Sequence, residues 1–307
     1  MSEPIVLAQE QPVVDRKRIG ISYSGGGPLV VVELGIALAF VERGVIPDVI
    51  AGASAGSLAG AAHAVDPRGG TGIERAVQVL GTVRNRTLGL GIDQLAIRLL
   101  LEREHFTSVG DHAGLRRLVG EVLAGLGMGE VTVGTFKPPK YPQLEVVATN
   151  RLDGRSVWFP GPTPIADALL ASSAIPGIFP WQKLRVGGKT LTLVDGGVVD
   201  NQPLSRLVMR RCGTIFACAV GYVGGSIPPP NNAIDNALQS LVIAIHQQTK
   251  LEEAYVRLRL GDAGVIHHIH PQVNVPVLGF DFNPELVAAV VEESRAKTVA
   301  WLIKLGF

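Results

Sequence analysis

Residues 45–64 read Val45-Ile46-Pro47-Asp48-Val49-Ile50-Ala51-Gly52-Ala53-Ser54-Ala55-Gly56-Ser57-Leu58-Ala59-Gly60-Ala61-Ala62-His63-Ala64. The apolar run Val45–Ile50 predicts a strand and Ser57–Ala64 a helix, which puts Ser54 in the turn between them. Tiny neighbours in such a turn let the serine oxygen stand clear of the backbone. The helix N-terminus beneath it favours developing negative charge. The same five residues, Gly52-Ala53-Ser54-Ala55-Gly56, also fit a close-packed turn without chemistry. Upstream, Arg18–Tyr23 predicts a first strand that turns at Gly25-Gly26-Gly27, and Val31–Arg43 a helix with Gly44 as its C-cap. A βαβα opening predicts a mostly parallel sheet with helices on both faces, a three-layer α/β/α fold.

Residues 1–16 are polar and irregular and read as a loose tail ahead of a single domain over 17–307. Between about 66 and 142 strand signals nearly vanish, which predicts a helical insertion. Within it Ile92, Leu95, Ala96, Leu99 and Leu100 recur at one-face helical spacing, fitting either a core-facing helix or a cap over an apolar substrate pocket. Strands are expected again at Leu144–Thr149, Ser156–Phe159, Leu191–Val194, Thr214–Val220 and Val265–Ile269. Helices are expected from about Pro164 to Ile175, where Pro176 ends the run, and over Ala233–Arg259 and Pro284–Leu305.

Hydrophobic residues make up 47% of the 307, enough for a large core, and 37 glycines suit a fold with many tight strand–helix turns. A formal charge of +1 excludes a dedicated nucleic-acid binder. Arg16-Lys17-Arg18 reads as a solvated strand edge. Cys212 and Cys218, on one strand, would stand about 20 Å apart, too far to pair. Met1-Ser2-Glu3-Pro4 shows no secretory pattern, and Glu33, Glu42 and Asp48 interrupt the most apolar region. A cytoplasmic protein is the expectation.

A serine hydroxyl needs a base to take its proton. Asp195 ends a strand and precedes Gly196-Gly197, a geometry that presents a carboxylate at the sheet's C-terminal edge, although Asp-Gly is also an ordinary turn pair. The triple glycine can aim backbone N–H groups at one point, as an oxyanion hole requires. A dinucleotide loop is excluded because Val30 occupies the third glycine position of that pattern. Asp200 and Asn201 fit a role in shaping the loop after Asp195.

Four blocks stand in order: Gly25-Gly26-Gly27, Gly52-Ala53-Ser54-Ala55-Gly56, Ala171-Ser172-Ser173-Ala174-Ile175-Pro176 and Asp195-Gly196-Gly197. In this set the chain resembles the bacterial patatin-like phospholipases over roughly residues 18–205. The resemblance implies lipid acyl-ester hydrolysis by a Ser-Asp dyad without histidine, with Ser54 as nucleophile, Asp195 as its partner and Gly25, Gly26 and Gly27 at the oxyanion. It implies no metal or organic cofactor, a lipid or ester substrate, and membrane contact only at the periphery. One departure stands out. Where the family's first block continues with any residue, then Arg or Lys, then Gly, this chain has Pro28, Leu29 and Val30. Loss of the cation points to a neutral or small ester rather than a phospholipid.

Two other readings use the same residues. An α/β-hydrolase triad would recruit His267, His268 or His270 after Ser54 and Asp195, but the serine elbow comes very early for that fold. His268 and His270 also suggest a metal pair that lacks a third ligand. A catalytically silent lipid-binding protein would account for the altered first block, yet has no chemical reason to keep both Ser54 and Asp195.

Overall fold

The computed structural model describes residues 13–90, 108–227, 229–230, 233–273 and 281–307. The stripe from Ile92 to Leu100 lies outside the described residues.

The opening βαβα is present. Strand β1 (Asp15–Tyr23) leads through a 3-10 turn (Gly27–Leu29) into helix α1 (Val30–Glu42), then strand β2 (Val49–Ala53) and helix α2 (Ala55–Val65). Asp15 and Arg16 thus belong to the first strand rather than to a loose tail. β2 starts later than the apolar run suggests, for a local reason: Val45 N–H closes the end of α1 on Phe40 O at 2.9 Å, and Pro47 has no N–H to give a ladder. Gly44 takes the left-handed conformation expected of a cap, at φ +66°.

Next come α3 (Thr71–Leu80) and α4 (His112–Gly125), strands β3 (Gln143–Asn150) and β4 (Ser156–Trp158), helix α5 (Ile165–Ser172), and strands β5 (Gln182–Val186) and β6 (Lys189–Val194). The chain finishes with α6 (Leu204–Met209), β7 (Cys212–Cys218), α7 (Ala233–Leu260), β8 (Val265–Ile269) and α8 (Pro284–Lys304). β5 and α6 are not legible in the sequence as independent elements. β5 is an edge strand alternating half-buried and exposed residues, and it reaches β6 through Gly187-Gly188. Both glycines have positive φ, at 56° and 83°, as a two-residue hairpin requires.

The sheet order is β5-β6-β3-β2-β1-β7-β8, with β4 also on β3. Strands β3, β2, β1, β7 and β8 are mutually parallel; β4, β5 and β6 run antiparallel to their neighbours. β1 lies inside the sheet, so Arg16-Lys17-Arg18 is not a strand edge. It is the exposed end of an inner strand, where Arg16 donates to Ala263 O and Asp262 O and Arg18 to Arg210 O.

Both faces of the inner parallel strands β2, β3 and β7 are buried, and alternate residues feed different cores. Ile50, Phe216 and Cys218 join the larger core with α1 and α2, whereas Val49, Ala51, Ile215 and Ala217 join a smaller one with Leu204, Leu207, Val256 and Leu260 of α6 and α7. This is the three-layer arrangement. α8 closes the first face against α1 where Gly35 leaves no room for a side chain: a Cβ there would sit 2.4 Å from Val291 O. Cys212 and Cys218 occupy the two ends of β7 as free thiols.

Candidate active site

Ser54 follows β2 directly and caps α2, with φ 51° and ψ −126°, a conformation that strains any residue with a Cβ. Its flanking glycines are obligatory on space. A Cβ on Gly52 would lie 2.5 Å from Gly56 O, and one on Gly56 would lie 2.3 Å from Tyr23 O and 2.5 Å from Ser24 O. The elbow is therefore pressed against the end of β1. Gly56→Ala is expected to cost about 1–3 kcal/mol of stability, the usual penalty for overpacking, read as a lowered urea midpoint with unchanged slope. A midpoint equal to wild type would show that the elbow is looser than its contacts imply.

The turn is held from outside by the third block. Ser54 N–H donates to Ser172 Oγ at 2.9 Å, and Ser57 N–H and Oγ–H donate to Ser54 O at 2.9 and 2.7 Å. Two residues on from Ser172, Ala174 O accepts from Asp195 N–H at 3.0 Å. One short segment at the C-terminal end of α5 thus grips the backbone of both candidate residues. Sequence reading places Ser172 in a motif but assigns it no work; its spacing carries no signal of the bond it makes.

Strand register brings the pair together across 141 positions. Ala53, just before Ser54, is opposite Val147 of β3. Gly196, just after Asp195, packs so closely on the same residue that a Cβ would fall 2.3 Å from Val147 O. β6 reaches this edge while running antiparallel to β3, overlapping it only at Thr149 and Asn150. Thr149 Oγ1 donates to Asp195 O at 2.7 Å.

The Asp195 carboxyl is buried. Gly197 N–H donates to Oδ1 at 2.7 Å, while no hydrogen bond of standard geometry from the described residues reaches the buried Oδ2. The Ser54 hydroxyl lies near enough to the carboxyl to favour its charge. Burial nevertheless dominates, and pushes the Asp195 pKa up to about 7 against the pull of Ser54 and Gly197. A carboxyl poised near neutrality beside a strained serine is suited to proton transfer.

The first block borders the serine. A Cβ on Gly25 would meet Asn201 Oδ1 at 2.4 Å and Ser54 Cβ at 3.2 Å. Gly25 N–H is already committed to Asn201 O at 2.9 Å, which removes it as an oxyanion donor. Gly26 and Gly27 remain, and Gly27 adopts φ +55°. Asn201 Nδ2 also donates to Gly25 O at 3.4 Å, so the asparagine ties the glycine turn to the loop after Asp195. Leu29 closes the 3-10 turn half-buried, with its side chain near Gly221.

A match to the family model described as patatin-like phospholipase covers residues 21–208, which contain all four blocks. The chain belongs to this family. Its family is one of lipid acyl hydrolases. Three curated relatives, named uncharacterized NTE family proteins, come from Mycobacterium bovis and two strains of Mycobacterium tuberculosis. Each is 28% identical over 220 residues, covering 71% of this chain and 53% of the relative. The chain thus spans about half the length of the curated relatives it matches. Among solved structures, VipD from Legionella pneumophila is 16% identical with a TM-score of 0.42, covering 95% of this chain and 67% of that one.

The histidines considered for a triad or a metal pair have other partners. β8 is three strand positions from β2, about 14 Å, and five from β6, about 24 Å. His267 packs among Phe216, Trp301 and Phe307; His268 faces Glu253 and Arg257; His270 Nδ1 hydrogen-bonds with Ala219 O at 2.8 Å. His63, nine residues beyond Ser54, bonds the Tyr23 hydroxyl at 2.9 Å, and burial lowers its pKa to about 3. Among the described residues no group of three or more His, Cys, Asp or Glu side chains is placed to share a metal, and no helix is long and apolar enough to cross a membrane.

Proposed function

We propose that this chain is a serine acyl hydrolase that cleaves carboxylic esters of lipids through a Ser54–Asp195 dyad. One observation carries the reading: the buried Asp195 carboxyl stands within hydrogen-bonding reach of the hydroxyl of a serine on a strained strand-to-helix turn. In the mechanism, ionised Asp195 accepts the Ser54 proton as Oγ attacks the ester carbonyl. The Gly26 and Gly27 amides, with the α2 N-terminus behind them, hold the oxyanion; one such donor contributes about 3 kcal/mol to lowering the barrier. The tetrahedral intermediate collapses to an acyl-serine, and the alcohol leaves with the proton from Asp195. Asp195 then takes a proton from the water that attacks the acyl-serine and passes it to Ser54 Oγ as the acid is freed, which restores the ionised carboxylate and the free hydroxyl. A serine-directed alkyl phosphonate should form one covalent adduct, at Ser54, located by peptide mass spectrometry. An adduct elsewhere, or none, would remove Ser54 from the role.

Leu29 supports a neutral headgroup. It puts an aliphatic, half-buried side chain beside the glycine turn where a cation would pair with a phosphodiester. With acyl chains matched, a diacylglycerol is expected to turn over at least tenfold faster than the corresponding phosphatidylcholine. Preferential cleavage of the phospholipid would overturn the headgroup assignment while leaving the dyad intact.

A further inference from the structure

Two hairpins at one corner of the sheet project past the edge that carries Ser54. That edge is the C-terminal end of β2 and of its parallel neighbour β3. β6 pairs with β3 only through Val194 and Leu193, opposite Thr149 and Asn150. Because the two strands are antiparallel, the earlier residues of β6 lie beyond the end of β3. Lys189 stands about 14 Å past it along the strand, at about 3.4 Å per residue. β5 accompanies β6 over this overhang. Beside it, residues 151–155 turn the chain from β3 into β4, and Arg151 N–H donates to Thr192 O at 2.8 Å, which fixes the turn against the hairpin.

The overhang has two unlike faces. Leu184, Val186 and Leu191 pack on the core, whereas Lys183 and Arg185 alternate outward, opposite Thr192 and Thr190. Lys189 is exposed beside the hairpin turn, and Arg151 and Arg155 are exposed on the adjacent turn. Among the described residues none of these five side chains has an ion-pair partner. Asp153 is the only acid in residues 151–155 and 182–194. The Arg151 guanidinium lies over the half-buried Trp181 ring, 5.0 Å from its centre. At the tip of the turn, between the two arginines, Leu152 is 74% exposed. Cations along an edge strand guard it against pairing with another sheet, which accounts for Lys183 and Arg185. That role does not account for the cations of the neighbouring turn, nor for a leucine held out among them.

We propose that the β5–β6 hairpin and the β3–β4 turn form a docking surface for an anionic lipid bilayer, with the cations on the headgroups and Leu152 inserted below them. The choice of a bilayer over another polyanion rests on the lipid-hydrolase reading; the patch itself does not. Cations, an aromatic ring and an aliphatic tip match the succession of phosphates, interface and hydrocarbon met on entering a membrane. Because the overhang continues the strands beyond their C-terminal ends, docking turns the Ser54 edge of the sheet towards the lipid. The cation that Leu29 denies to the glycine turn is thus supplied at the docking surface, so an anionic bilayer and a neutral ester substrate are compatible.

The test is flotation with vesicles of phosphatidylcholine alone and of phosphatidylcholine mixed with phosphatidylglycerol, in the Ser54→Ala background so that no lipid is consumed. Binding should require phosphatidylglycerol and weaken as salt is added. With about fivefold in partitioning per cation, Lys183→Glu with Arg185→Glu should weaken it at least about twentyfold. Leu152→Ser should weaken it about tenfold through lost burial. In the Ser54 protein both changes should leave turnover of soluble p-nitrophenyl butyrate unaltered, which also reports that the variants fold. If the butyrate is cleaved but the anionic vesicles are not bound, or are bound equally by both variants, the docking surface is wrong and the hydrolase reading stands. If the vesicles are bound in this charge-dependent way but no ester is cleaved, the docking surface stands and the hydrolase reading fails. Retention on heparin that the charge reversal abolishes, without vesicle binding, would assign the patch to another polyanion and overturn the proposal.

Discussion

Replacing Asp195 by Asn is expected to lower kcat on a preferred ester by about 10²–10⁴, the usual contribution of a positioned general base. Ser54→Ala should lower it at least as far. In the proposed dyad the two residues act on one proton, so the double variant should be no worse than the poorer single one. Losses that multiplied would mean that each acts through a different step. Activity of the wild type should also depend on pH in one direction. In the proposed mechanism Asp195 must be ionised to accept the serine proton, and burial holds its pKa at about 7, so kcat/KM should rise with pH through an apparent pKa near that value and then level off. A profile already flat at pH 5 would show that the base is not this carboxyl. Ser54→Gly separates catalysis from folding. It should be as inactive as Ser54→Ala, yet more stable, because glycine adopts φ 51°, ψ −126° without the strain of about 1–3 kcal/mol that a Cβ imposes.

The second large effect concerns stability. In the unfolded chain Asp195 titrates near 3.8, whereas in the folded protein burial raises it to about 7. The folded state therefore holds its proton more tightly than the unfolded state does. Any stability gained from this is complete below about pH 4 and is lost as pH rises through 7. The difference of about 3 units corresponds to about 4 kcal/mol by pH 8. Asn carries no such charge. Asp195→Asn should thus gain on the wild type by up to about 4 kcal/mol between pH 4 and pH 8, measured as the change with pH of the difference in their unfolding free energies. The constant cost or benefit of the substitution cancels in that comparison. A pH-independent difference would show that the native carboxyl titrates normally and is not held in an apolar setting. The two effects have one origin: the burial that raises the Asp195 pKa to about 7 also makes the folded protein less stable once the carboxyl is ionised.

How far the sequence is sufficient depends on the distance over which each feature is decided. The elbow is local. Gly52 and Gly56 flank Ser54 because a Cβ at either would enter backbone space, and that need is written into five consecutive residues. The alternation of α and β at the start is local too, so the parallel sheet with helices on both faces follows from it. Boundaries were legible where a cap or a proline marks them, as at Gly44, and along the short apolar run of β8. Where hydrogen bonds to distant residues set the limit they were not. β2 waits for the chain to clear Pro47, and β5 exists only as the hairpin partner of β6.

What the amino-acid sequence determined by itself is the set of groups able to do chemistry: a serine on a tight turn, glycines that can bare their amides, and an aspartate at a strand end. Tertiary structure decided which of them meet and in what state. Val147 stands opposite Ala53 in the sheet and is also packed closely by Gly196, and this brings Asp195 to Ser54. Ser172 and Ala174 hold both backbones, and Asn201 takes the Gly25 amide out of the oxyanion set. The pKa of Asp195 belongs to the same class, since desolvation is a property of everything packed around a carboxyl rather than of its neighbours in the chain.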